Sequence, residues 1–208
     1  KTFDWALIPA GFTRPLVLSG GLDAGNVGAA IARVTEALRT VEERFWDEEA
    51  GLVVDTFNDD FTVLDPYRGI NANMHTVEAF LAAADVTGER IWLDRAARIG
   101  AFAARAAKAN GWRLPEHFDE QWSPLLEFNA DVPGDKFKPY GATVGHGIEW
   151  ARLLLNLEAA GATGTDWAEA AVALFDRAVE DGWDAERGGF AYTTDWTGTP
   201  VVADRMHW

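Results

Sequence analysis

His146 and Glu149, in the stretch GHGIEW (145–150), stand three residues apart at the head of a segment, ARLLLNLEAAG, whose apolar spacing is that of a helix. Residues i and i+3 share a helix face, so the imidazole and the carboxylate address one point in space. His75 and Glu78 in NANMHTVEAFLAAA repeat the pair. An imidazole titrates near neutral pH, and a carboxylate beside it fixes its tautomer and raises its basicity. These residue types therefore fit general acid/base catalysis, with a buried histidine steadied by a neighbouring carboxylate as the plain structural alternative. Histidine and carboxylate also ligate metals, but neither the Glu-x-x-His order of di-iron bundles nor the His-Glu-x-x-His order of zinc proteases occurs. No metal or other cofactor is expected. Nucleophilic catalysis fits less well, because the chain has no cysteine and no G-x-S-x-G elbow. The glycines of SGGLDAGNVG (19–28) do not match G-x-G-x-x-G and read as a turn.

A repeat organises these groups. FWDEEAGLVVDTF (45–57) resembles GWDAERGGFAYTT (182–194): Trp46, Asp47, Glu49 and Gly51 match Trp183, Asp184, Glu186 and Gly188 at a constant offset of 137. In both copies a helical segment precedes Trp-Asp, and a glycine turn followed by alternating apolar residues comes after it. Further helices are expected at 89–110 and 165–182. His75 and His146 lie 71 apart, and His207, in ADRMHW, lies 61 further on. Three of the four histidines are thus expected at one repeated position, at the same end of alternate helices. Paired helices with small hairpins covering that end make an all-α array.

Composition limits the partners. The 208 residues, 48% of them hydrophobic, suffice for a single domain with a sizeable core. A net charge of -15 repels nucleic acid and anionic membrane surfaces. With no cysteine, no signal-like start and no run of eighteen apolar residues, the cytoplasm is the expected compartment. Ten tryptophans can stack on sugar faces, though indoles also fill cores.

Five stretches carry a family resemblance: YRGINANMHTVEAFLAAADVTG (67–88), LPEHFDEQWSPLLEFNAD (114–131), FKPYGATVGHGIEWARLLL (137–155), WDAERGGF (183–190) and DRMHW (204–208). Together they resemble the N-acylglucosamine 2-epimerase superfamily, and within it the bacterial aldose-ketose isomerase branch. The resemblance implies an (α/α)6 barrel that binds a monosaccharide at one end of its inner helices, here about half of such a barrel, with residues 1–28 unassigned. It implies a metal-independent interconversion of D-mannose and D-fructose through a cis-enediol, with D-lyxose as a second substrate. His146 and His207 match the family's acid/base histidines, and Glu149 the carboxylate beside the first. Asn71 and His75 match a substrate-binding pair. Lys136 or Lys138 stands where a basic side chain is expected before Pro-Tyr-Gly, although an ammonium does not reproduce the fork of an arginine. Arg68, His117 and Trp122 are further candidates for lining the sugar site. A monomer or homodimer is expected. A sugar 2-epimerase of the N-acylglucosamine or cellobiose type, a non-catalytic carbohydrate-binding helical barrel and a metal-dependent hydrolase are the alternatives.

Overall fold

The computed structural model describes residues 27–204, which divide into two units between Trp46 and Asp47. In the first, α1 (Val27–Thr40) runs into a π-helical turn over Val41–Phe45. The second contains α2 (Ile70–Thr87), α3 (Arg90–Ala109), α4 (Val144–Ala159) and α5 (Trp167–Gly182). The short strands are β1 (Trp46–Asp47), β2 (Leu52–Val53), β3 (Arg68–Gly69), β4 (His117–Phe118), β5 (Ala142–Thr143), β6 (Thr193–Thr194) and β7 (Pro200–Val202). The helix-rich reading holds, and the helices expected at 89–110 and 165–182 lie within two residues of those bounds. The described residues contain five α-helices; the helix expected to begin at His207 lies outside them, as does the segment 1–26.

Helices α2 and α3 pack as one pair and α4 and α5 as another. Their shared core is built from Ile70, Met74, Val77 and Phe80 of α2, Trp92 and Ile99 of α3, Trp150, Leu153, Leu154 and Leu157 of α4, and Leu174 of α5. Fully burying such side chains stabilises by roughly 1.5–3 kcal/mol each, and this term rather than helix propensity holds the pairs together. No described helix is long and apolar enough to cross a membrane.

The 137-residue repeat is visible as two copies of one turn. The Asp47 carboxylate accepts from the amides of Glu49 and Ala50, and that of Asp184 from the amides of Glu186 and Arg187. Gly51 and Gly188 close the turns, each donating its N–H to the aspartate carbonyl at 2.8 Å, with φ of 73° and 71°. That left-handed conformation is why both copies carry glycine there.

Candidate active site

Neither α2 nor α4 has a side-chain cap at its start. Instead a two-residue strand leads into each helix, and the partner strand satisfies the first free amide. β3 pairs antiparallel with β4, and Ile70 N–H donates to the Glu116 carbonyl at 3.0 Å. β5 pairs antiparallel with β6, and Val144 N–H donates to the Tyr192 carbonyl at 3.1 Å. Four orphan amides at a helix start need such partners. The consequence is positional: the residue just ahead of each partner strand is fixed at the mouth of the neighbouring helix. The Asp55 carboxylate adds a second tether, accepting from Gly69 N–H at 2.7 Å.

These helix starts enclose a pocket of about 180 Å³. Asn71 reaches it from the first turn of α2, His146 from the first turn of α4, and Glu116 and Tyr192 from beside the partner strands. Tyr67, His117 and the 136–139 loop, with Lys136 and Pro139, complete the lining. At about 30 Å³ per water, it has room for roughly six waters or one small polar molecule.

The His146 ring is 14% exposed, and its Nδ1 lies 3.0 Å from both carboxylate oxygens of Glu116, whose side chain is 4% exposed. Burial opposes charging the ring, but the Glu116 charge, its hydrogen bond and the charge of Glu149 outweigh that, and the His146 pKa lies above the ordinary imidazole value.

His117 behaves differently. Its Nε2 lies 2.8 Å from the Pro139 carbonyl, which can only accept, so Nε2 carries a proton. Burial pushes the His117 pKa down further than the Pro139 bond and the Glu116 charge raise it, so the ring is neutral at neutral pH. Nδ1 is then an acceptor, and the Tyr67 hydroxyl donates to it at 2.8 Å. Burial, with Asp55 and Glu116 nearby, drives the Tyr67 pKa well above the usual phenol value, so that proton stays in place. The Lys138 ammonium sits 3.6 Å above the Tyr67 ring, in cation–π contact. Tyr67, His117 and Pro139 thus form a clamp that ties the 136–139 loop to the start of α2.

The residues singled out from sequence separate accordingly. Asn71, Lys136, His117 and His146 meet at the pocket. His117 lines it with both ring nitrogens engaged, by the Tyr67 hydroxyl and the Pro139 carbonyl. Lys138 is turned onto Tyr67. Arg68 is 6% exposed and its guanidinium donates to the carbonyls of Asp65 and Tyr67, so it braces the backbone behind the pocket instead of reaching into it. Trp122 packs against Phe102 and Phe118 and is not among the residues that line this pocket. His75, with its side chain 57% exposed, pairs with Glu78 at 2.9 Å and lies outside the pocket lining. Glu149 lies 3.6 Å from Arg152 and bears on the His146 ring through its charge. His207 lies outside the described residues.

The helix starts also correct the repeat register. Val144 opens α4 where Ile70 opens α2, an offset of 144 − 70 = 74 rather than 71. His75 therefore corresponds to Glu149, one turn or ~4.5 Å deeper along its helix than His146. Sequence reasoning missed Glu116, Tyr67 and Tyr192. The signal available for Glu116 was its place beside His117 in LPEHF, but nothing local linked it to His146.

The family model of N-acylglucosamine 2-epimerase (GlcNAc 2-epimerase) matches residues 15–208. The chain is 46% identical over 202 residues to a D-mannose isomerase of Thermobifida fusca, covering 95% of this chain and 50% of that protein. It is 44% identical over 200 residues to a D-mannose isomerase of Pseudomonas cannabina pv. alisalensis, covering 93% and 48%. The chain thus spans about half the length of the curated relatives it matches. A crystal structure of D-mannose isomerase superposes with a TM-score of 0.81 at 31% identity, over 89% of this chain and 47% of that one. A sugar epimerase from a ruminal bacterium shares the fold at a TM-score of 0.65 and 15% identity, over 87% and 43%. With nearly its whole length matched by one family model, and with a polar pocket at the starts of paired helices, the chain belongs to the N-acylglucosamine 2-epimerase family.

Proposed function

We propose that the intact protein is a metal-independent aldose-ketose isomerase in an (α/α)6 barrel, interconverting D-mannose and D-fructose and also accepting D-lyxose. The observation that carries this reading is His146, a mostly buried, carboxylate-paired imidazole with a raised pKa, set in a small polar pocket beside Asn71 and Lys136. Buried titratable groups with shifted pKa values and a specific charge partner mark reactive sites. The similarity to proteins named D-mannose isomerase supplies the substrate class.

In the proposed reaction the sugar ring opens and a base removes the proton on C2. The C–H electron pair becomes the C1=C2 double bond of a cis-enediol while the C1 carbonyl oxygen takes up a proton. The O2 proton then leaves, C2=O forms, and C1 receives a proton, giving the ketose. We assign the C2/C1 transfer to His207 and the ring-opening and hydroxyl protons to His146. Asn71 and Lys136 hold hydroxyls. Proton transfer by a positioned side chain contributes roughly 100- to 10,000-fold, so His146→Ala should lose at least two orders of magnitude in turnover.

The test is to follow D-mannose by NMR in deuterated water with EDTA present. Fructose labelled at C1 supports the proposal. Glucose as product would make the protein a 2-epimerase, and bound sugar with no label at C2 would make it a binding module. Activity lost to the chelator, or full activity in His146→Ala and His207→Ala, would refute the assignment.

A further inference from the structure

The mechanism above uses His146 but leaves unexplained why a glutamate should be buried against it. Glu116 lies 30 residues away in sequence and is held by its own backbone: its carbonyl accepts from Ile70 N–H, and the next residues, His117 and Phe118, pair with β3. Its side chain is 4% exposed. A buried carboxylate is costly unless its oxygens are bonded. Both oxygens of Glu116 sit at the same 3.0 Å from one atom, His146 Nδ1. Equal distances are what an N–H shared between two acceptor oxygens makes.

We propose that Glu116 is the positioning residue of this site: it keeps the His146 proton on Nδ1, so that Nε2 is the atom through which the ring exchanges protons with the sugar. The proposal rests on the acid/base reading of His146 and extends it. Glu149, the carboxylate that the spacing of GHGIEW suggests for this role, lies one turn along the same helix, beside Arg152. Among the described residues Glu116 bears on the ring through a bond and Glu149 through space. Among the described residues the other titratable groups in the pocket are Lys136, neutral His117 and the phenols of Tyr67, held well above its usual range, and Tyr192, raised mainly by burial. Lys136 is the cation among them, so the balance of charge favours the imidazolium form once the ring takes a proton, and Glu116 supplies the bonded share of it. The geometry also fixes the ring plane, since rotation about χ2 would exchange the bonded nitrogen for a carbon.

The experiment is nitrogen NMR of the His146 ring across pH in the intact protein, compared among wild type, Glu116→Gln and Glu116→Asp, together with the pH profile of kcat/KM. In the wild type the neutral ring should show its proton on Nδ1. Glu116→Gln removes the charge and should lower the His146 pKa by about 1–3 units, the usual effect of an opposite charge at contact. It should also reduce kcat by roughly 10- to 100-fold with KM little changed, as loss of an orienting partner does. Glu116→Asp keeps the charge one methylene further away; it should retain the tautomer with a smaller loss, and it reads the same quantity should Glu116→Gln fold poorly. A wild-type ring protonated on Nε2, or an unchanged titration in both variants, would overturn the proposal. The ring measurement needs no substrate, so absence of mannose turnover would count against the isomerase assignment and leave this one decided on its own.

Discussion

Gly141→Ala tests whether the strand pairing positions the site. Gly141 has φ of +92° and directly precedes β5, five residues before His146. A Cβ built there would lie 2.1 Å from the Thr194 carbonyl oxygen and 3.1 Å from its carbon. Real Cβ contacts stay above 3.0 Å, so the backbones must part by about 3.0 − 2.1 = 0.9 Å. The obstacle is backbone of β6, which has no rotamer to change, and β5 pairs with β6 through Ala142–Thr194 and Thr143–Thr193. Overpacking of this kind costs about 1–3 kcal/mol, and an alanine forced to positive φ adds about 1 kcal/mol. For a protein of this size each kcal/mol lowers Tm by about 2–4 °C, so a fall of roughly 4–16 °C is expected. Displacement by nearly 1 Å at the start of α4 carries His146 with it, and misplacement on that scale can lower turnover ~100-fold. Gly88→Ala is the control. Gly88 also has positive φ, 71°, but nothing lies within 4 Å of its Cβ position. It isolates the conformational cost and should lower Tm by only a few degrees with activity retained. Differential scanning calorimetry and the NMR isomerisation assay read both effects. Equal Tm shifts for the two variants, or Gly141→Ala with wild-type turnover, would refute the view that β5 against β6 sets the place of His146.

Four further outcomes follow from the geometry. Asp181 receives a bidentate contact from Arg113 at 2.6 and 3.0 Å with side chains 8% and 14% exposed, so Asp181→Asn should cost about 3–5 kcal/mol in denaturant unfolding. Asp94→Asn, at the exposed Arg90 pair, should cost less than ~0.5 kcal/mol. Burial, opposed by the Gly69 bond and the charges of Arg68 and Lys138, raises the Asp55 pKa to about 6 from 3.8. Between those two pH values the unfolded chain has lost this proton and the folded one keeps it, so the contribution of Asp55 to stability falls as pH rises through the window and is level above it. Asp55→Asn should flatten that slope in unfolding curves taken from pH 4 to 7, and an unchanged slope would refute the shift. Tyr67→Phe removes the donor to His117 Nδ1 and should destabilise by about 1–3 kcal/mol, read as a lower urea midpoint.

What could be read in the sequence was what is local. The Asp47 and Asp184 turns complete their hydrogen bonds within five residues, so Trp-Asp and a following glycine identified both copies at the right offset. The apolar periods of α2 to α5 were equally plain, because burial on one helix face needs no knowledge of its partner. The register of the histidines was not local. His-x-x-Glu occurs in both helices, yet helix starts are set by pairing across β3–β4 and β5–β6, partners about fifty residues distant in chain, and this places His75 three residues deeper in its helix than His146. The same distance hid Glu116. Spacing suggested Glu149 as the partner of His146, since it could count only along one helix. The surroundings of Arg68 and Trp122 were hidden for a related reason: residue type says that a guanidinium or indole can meet a sugar, but only the tertiary structure shows one donating to two carbonyls and the other packed against two phenylalanine rings. A site assembled at helix starts by strand partners is thus visible in sequence as a set of residue types, while its pairings belong to the tertiary structure. Those pairings set the two rings apart: His117 and His146 are both mostly buried pocket imidazoles. One is held neutral between a carbonyl and a phenol; the other is bonded to a carboxylate that makes it more basic.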